Sequence, residues 1–254
     1  MLLAVDVGNS EATAGLFDGS RLLRTVRIPM EPARGEEEIE QGLRQAFPEA
    51  GPGHGAAIAS VVPAATHRFA GAARRLTGTA PLEITAALDS GLAVEYRDPA
   101  TLGADRLANA VAAAQIYGEP VIVVDLGTAT KFEVVVPEGR YRGGIIAPGI
   151  RTAADELIRR AARLGVFELR APERVVGRST EECLQSGVLL GAAGLVDALV
   201  RRIAAEERIP AAAVATGGLA PLVAPLAETI ERIDPELTLQ GIRLLYERNA
   251  RPRP

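Results

Sequence analysis

The stretch Leu2-Leu3-Ala4-Val5-Asp6-Val7-Gly8-Asn9-Ser10 is an apolar run interrupted by one aspartate and closed by a glycine. Such a run suits a strand buried on both faces. The glycine lets the backbone turn sharply, so that amides and hydroxyls can come close to phosphate oxygens. An aspartate at the strand end can hold magnesium through water. Taken alone, Asp-x-Gly is only a turn signal. The chain writes it twice, however: Val121-Ile122-Val123-Val124 runs into Asp125-Leu126-Gly127-Thr128. Two copies, each ending a buried strand and opening a strand–turn–strand, point to the handling of nucleotide phosphates.

Working outward from the first copy, Thr13 to Phe17 and Leu22 to Ile28 read as strands joined by a tight turn at Asp18-Gly19-Ser20. Glu36 to Phe47 has helical spacing, with Ile39, Leu43 and Phe47 on one face, and stops before Pro48. A strand over Ala56 to Val62 and a helix over Thr66 to Leu76 follow. After the second copy the pattern returns: strands at Phe132 to Val136 and Arg140 to Ile145, then a helix over Ile150 to Leu164. The strand Ala213 to Ala215 enters Thr216-Gly217-Gly218 before another helix. The reading is an α/β chain of two lobes with like topology, residues 1–115 and 116–254, repeated in pattern rather than in sequence. The tail Arg251-Pro252-Arg253-Pro254 is expected to fray.

Composition excludes several classes. Of 254 residues 48% are hydrophobic and 24% charged, with a formal net charge of −4. That balance lacks the basic footprint of a nucleic-acid binder, so no nucleic-acid partner is expected. Cys183 is the one cysteine, and His54 and His67 are the two histidines, too few for a disulfide or a usual zinc centre. Met1 leads into a strand without the charged start and apolar core of a signal peptide, and no apolar run approaches the ~20 residues of a membrane span. A cytoplasmic protein without a membrane partner is the expectation. The apolar stretch Val188 to Ile203, rich in glycine and alanine, reads as a tightly packed core or dimer-interface helix.

Two further features carry chemistry. Thr216-Gly217-Gly218, after a strand and before a helix, either makes a tight turn or lets an adenosine group pack on the backbone. No G-x-x-x-x-G-K-[ST] loop exists, and Gly51-Pro52-Gly53-His54-Gly55 precedes a strand, so it reads as a loop. Gly103-Ala104-Asp105-Arg106 opens a helix over Leu107 to Tyr117. An aspartate there either complements the helix dipole or takes a proton from a substrate hydroxyl while Arg106 grips a carboxylate.

Together these residues resemble type III pantothenate kinase, of the acetate and sugar kinase/Hsc70/actin superfamily. The resemblance rests on Asp6 to Ser10, Gly103 to Ala110 and Asp125-Leu126-Gly127-Thr128-Ala129-Thr130. It continues through Gly143 to Gly149, Arg178-Ser179-Thr180, Gln185-Ser186-Gly187 and Ala215 to Leu219. It implies a duplicated ribonuclease H-like (actin/hexokinase-type) fold, each lobe a mixed five-stranded sheet flanked by helices. It also implies ATP-dependent phosphorylation of pantothenate, the first step of coenzyme A biosynthesis, with ATP and a divalent ion such as magnesium. Asp6, Val7, Gly8, Asn9, Ser10, Glu11, Ala12 and Thr13 match the family's ATP-phosphate loop, and Thr128 its second nucleotide contact. Asp105 matches the catalytic base. Tyr96, Gly103, Ala104, Arg106 and Thr180 match pantothenate contacts. Asp125 matches the ligand of a monovalent cation, potassium or ammonium, and members are homodimers.

Departures from the family pattern bear on this reading. Ser10 replaces a usual threonine and keeps its hydroxyl, and Glu133 stands where aspartate is common. Lys131 stands where threonine is usual. It is the only lysine, in a chain of 28 lysines and arginines combined. It is either a surface residue on a strand, or a compact charge that replaces the monovalent cation or contacts phosphate. Two rival functions stay open at this point: a superfamily kinase for another small alcohol, and a non-catalytic regulatory homologue.

Overall fold

A computed structural model describes residues 1–31, 34–161 and 164–250. Its contacts divide the chain into two units, Met1–Ala112 with Glu236–Pro254, and Ala113–Pro235.

The first unit begins with the hairpin of β1 (Leu2–Val7) and β2 (Glu11–Asp18), followed by β3 (Arg21–Pro29), α1 (Glu36–Ala46), β4 (Gly55–Ser60) and α2 (Pro63–Thr77). Two short strands, β5 (Leu82–Glu83) and β6 (Ala93–Val94), lead to α3 (Ala104–Tyr117). The sheet order is β3-β2-β1-β4-β5. β2 runs antiparallel to β1 and β3, whereas β4 lies parallel to β1 and β5. Burial explains the run that opens the chain: Leu3, Val5 and Val7 enter one cluster with Ile39, Leu43, Phe47, Ile58, Phe69 and Leu76. Each such side chain contributes roughly 1.5–3 kcal/mol by leaving water. The α1 face is the expected one, and α2 stops at Gly78, whose φ of +73° suits glycine.

The second unit repeats the plan. β7 (Val121–Leu126), β8 (Ala129–Val136) and β9 (Arg140–Pro148) form the antiparallel part, with β10 (Ala213–Thr216) and β11 (Ile230–Ile233) parallel on the far side of β7. Five of its strands, in the order β9-β8-β7-β10-β11, reproduce the first sheet position for position. Between β9 and β10 lie α4 (Ile150–Arg160), α5 (Thr180–Gln185) and α6 (Gly191–Glu207); α7 (Ala220–Val223) separates β10 from β11. Both sheets are therefore mixed and flanked by helices, but only the first has the expected five strands; the second has six.

Three further details differ from the sequence reading. α8 (Leu237–Asn249) groups with the first unit, although the sequence reading runs the second lobe to residue 254. Its buried Leu237, Leu239, Ile242 and Leu245 need an apolar partner, and Gly241 lets it lie against the backbone of α3 at Ala108. The helix expected over Ile150 to Leu164 ends at Arg160; Ala162, Arg163 and the tail 251–254 lie outside the described residues. Finally, a π-helical turn, Ser186–Leu190, joins α5 to α6, so Thr180–Glu207 is one 28-residue helix, long and apolar enough by composition to cross a membrane. Its Leu189, Ala193, Val196, Val200 and Ile203 instead pack into the core of the second unit, with Ile122, Val124 and Phe132.

Candidate active site

In the first unit, β1 and β2 are joined by a turn short enough that Gly8 donates its amide to the carbonyl of Glu11 at 3.1 Å. An added Cβ at Gly8 would lie 2.9 Å from that same oxygen, so the turn depends on glycine. Asp6 is half-buried at the end of β1, opposite Thr13, while Val7 and Ala12 face the core. Asn9, Ser10 and Glu11 are exposed on the turn. The Glu11 carboxylate reaches Arg27 at 3.2 Å on the neighbouring strand. Residues 6–13 thus form one hairpin tip with an acidic strand end.

The second cluster of this unit surrounds the start of α3. Asp105 and Arg106 are both buried. The carboxylate Oδ1 of Asp105 accepts the amide of Arg106 at 2.8 Å, which fixes its orientation in the first helical turn. Gly103 makes room for it, since a Cβ there would stand 2.7 Å from Oδ1. Ala104 is buried beside it. Arg106 donates from Nη1 to the Tyr96 hydroxyl at 3.3 Å, and its guanidinium carbon lies 5.7 Å from the centre of the Tyr96 ring. The structure therefore brings together Tyr96, Gly103, Ala104, Asp105 and Arg106.

One turn further along α3, Asn109 is fully buried. Its Oδ1 accepts the hydroxyl of Thr238 on α8 at 2.7 Å, while its Nδ2 has no hydrogen-bond partner among the described residues. Asn109 lies within the Gly103–Ala110 motif but has no role in the expectations drawn from sequence. The signal was there: an amide four residues after Asp105 in a helix otherwise rich in alanine.

In the second unit, Gly127 closes the β7–β8 turn by donating to Ala129 at 3.2 Å. Thr128 is exposed at its tip; its carbonyl accepts the Thr152 hydroxyl at 2.9 Å. Gly149 meets this turn so closely that a Cβ would fall 2.0 Å from the Thr128 oxygen. Gly217, with φ of +91°, comes against the other side of Asp125: its absent Cβ would lie 2.6 Å from Asp125 Oδ1. The Thr216-Gly217-Gly218 turn thus packs on the second Asp-x-Gly motif. Thr180, the remaining expected substrate contact, is exposed as the first residue of α5, behind the Ser179 cap. Cys183 is exposed, with its thiol near the Gly177 carbonyl at 3.6 Å.

Asp125 itself is not an open carboxylate. Lys131 faces it directly across the β7–β8 ladder, and the ammonium Nζ lies 2.7 Å from Oδ2. Their side chains keep only 16% and 12% exposure, Lys131 first. The reading of Lys131 as a surface residue is corrected, because the register points it along the same face as Asp125. Glu133, two residues on, is fully buried and accepts the Tyr141 hydroxyl at 2.5 Å, so this departure has a structural role.

The family model of type III pantothenate kinases matches residues 2–202. The chain is 48% identical to type III pantothenate kinase 1 of Symbiobacterium thermophilum over 262 residues, which covers 98% of this chain and 97% of the relative. It is 46% identical to the type III pantothenate kinase of Thermomicrobium roseum over 255 residues, with 99% and 98% covered. Among solved structures, the ROK hexokinase of Thermus thermophilus gives a TM-score of 0.52 at 17% identity over 96% of this chain and 97% of its own. A Campylobacter jejuni protein described provisionally as a Baf family transcriptional activator gives 0.61 at 19% identity, covering 96% and 97%. At such identities the structural likeness carries the fold alone, and it is the duplicated actin/hexokinase-type fold. Matched end to end by sequence as well, the chain belongs to the type III pantothenate kinase family.

Proposed function

We propose that Asp105 is the general base with which this pantothenate kinase transfers a phosphoryl group from ATP to the primary hydroxyl of pantothenate, the first step of coenzyme A biosynthesis. The observation that carries the proposal is the buried carboxylate held by the Arg106 amide beside an arginine that is itself seated on Tyr96. A carboxylate fixed in this way accepts a proton without first reorienting. Arg106, with Tyr96, Gly103, Ala104 and Thr180, is assigned to pantothenate, whose carboxylate suits a guanidinium.

Phosphoryl transfer asks the protein mainly for positioning and for relief of charge. The hairpin tip Asp6–Thr13 and the turn at Thr128 are assigned to the phosphates of ATP, because both are tight strand-to-strand turns that carry hydroxyl side chains, with Gly8 inside the first and Gly149 against the second leaving no room for a side chain. Asp6, half-buried at a strand end, fits a divalent ion held through water, and magnesium bound there supplies charge neutralisation on the phosphates. The enzyme is proposed to work as a cytoplasmic homodimer. The test is the Asp105→Asn variant, whose amide oxygen keeps the bond to the Arg106 amide. Turnover should fall by roughly 10²–10⁴-fold with the fold intact, and near-normal turnover would remove Asp105 from the mechanism.

A further inference from the structure

The family resemblance places a potassium or ammonium ion on Asp125, and the residues around that carboxylate do not suit it. A mobile monovalent cation needs the charge of the carboxylate for itself. Here Asp125 Oδ2 is engaged by Lys131 Nζ at 2.7 Å, from the position directly opposite on β8. Beside Oδ1 stand Gly127 and Gly217, where a Cβ would lie 3.5 Å and 2.6 Å from it, so neither residue supplies a side-chain ligand to complete a cation site. Both partners are largely buried, so the attraction is screened far less than that of a surface pair.

We propose that Lys131 is a tethered replacement for the monovalent cation, so that the enzyme turns over without potassium or ammonium. This rests on the proposed function above. A lysine ammonium is the ammonium ion with one hydrogen exchanged for carbon, a compact point charge on a flexible stem. An arginine, the basic residue this chain uses everywhere else, would bring a planar fork in its place. Because the ammonium is attached to the strand, it is present at every salt concentration.

The test compares the dialysed full-length wild type with Lys131→Met and Lys131→Gln in potassium chloride and in tetramethylammonium chloride at equal ionic strength. Two quantities are read: pantothenate phosphorylation, and the melting temperature without substrates. The wild type is expected to differ less than twofold in rate between the salts and to melt at the same temperature in both. The variants should lose at least tenfold in tetramethylammonium, recover in potassium, and melt higher in potassium.

A wild type stimulated tenfold or stabilised specifically by potassium would overturn the proposal, and that measurement needs no variant to fold. Variants with a raised KM for ATP and no response to potassium would also overturn it, pointing to a phosphate contact. Variants indistinguishable from the wild type in both salts would do the same. If the wild type phosphorylates no pantothenate in either salt, the functional reading falls, and the melting comparison alone decides the role of Lys131.

Discussion

Replacing Gly241 with alanine sets two effects of opposite sign against each other. Gly241 lies inside α8, where alanine is the better helix former by about 1 kcal/mol. Seen locally, the change should stabilise. The packing says otherwise: the new Cβ would fall 2.0 Å from the carbonyl oxygen and 2.4 Å from the carbonyl carbon of Ala108 on α3. Both atoms belong to helix backbone, so no rotamer change relieves the clash. The helices must separate, against the packing of the buried Leu237, Leu239, Ile242 and Leu245. Overpacking of a core costs ~1–3 kcal/mol and more when backbone has to move. Setting about 3 kcal/mol against the propensity gain leaves a net loss of about 2 kcal/mol. For a chain of this size that lowers the melting temperature by about 4–8 °C. Activity should fall too, since Ala108 is three residues from Asp105 on the same helix. Urea unfolding with a steady-state assay reads both. A Gly241→Ala protein more stable than the wild type, with unchanged turnover, would refute the packing argument.

Two further outcomes follow from the second unit. Gly217→Ala meets both a φ of +91° and the Asp125 carboxylate 2.6 Å away, so it should disturb the Asp125–Lys131 pair and destabilise by about 2 kcal/mol or more in thermal unfolding. Asp197 lies buried on α6; burial pushes its carboxyl up, but the amides of Glu228 and Thr229, the Thr229 hydroxyl and the Arg201 charge outweigh it and hold the carboxyl below its usual range. Its stabilisation is therefore complete above the unfolded value of about 3.9 and lost as pH falls through the lowered folded value. Asp197→Asn should cost about 1–3 kcal/mol at neutral pH and flatten the acid limb of a stability–pH curve, and an acid limb unchanged in that variant would refute the assignment.

Much of the fold was legible because its signals are local. Apolar runs ending in Asp-x-Gly marked β1 and β7, and the spacing of Ile39, Leu43 and Phe47 fixed the buried face of α1. What stayed hidden depends on distant partners. The allegiance of α8 is decided by a glycine that meets α3 some 130 positions earlier in the chain, counting from Gly241 to Ala108. The cluster at Gly103–Arg106 was visible as a motif, but the seat that Tyr96 gives Arg106 exists only once the loop between them folds back. Lys131 was conspicuous as the only lysine, yet composition could not separate a surface residue from an ion pair. The one-to-one register of β7 with β8 did that, by opposing Asp125 and Lys131. Asn109 was passed over because an amide in a helix reveals its partner, Thr238, only through tertiary packing.

The most direct test of the central claim is steady-state phosphorylation of pantothenate by ATP and magnesium, measured for the wild type and Asp105→Asn side by side. The account predicts robust turnover by the wild type and a kcat lower by roughly 10²–10⁴-fold in the variant, with an unchanged melting temperature. Equal turnover by the two proteins would contradict the role of Asp105, and a wild type that leaves pantothenate unphosphorylated would contradict the function itself.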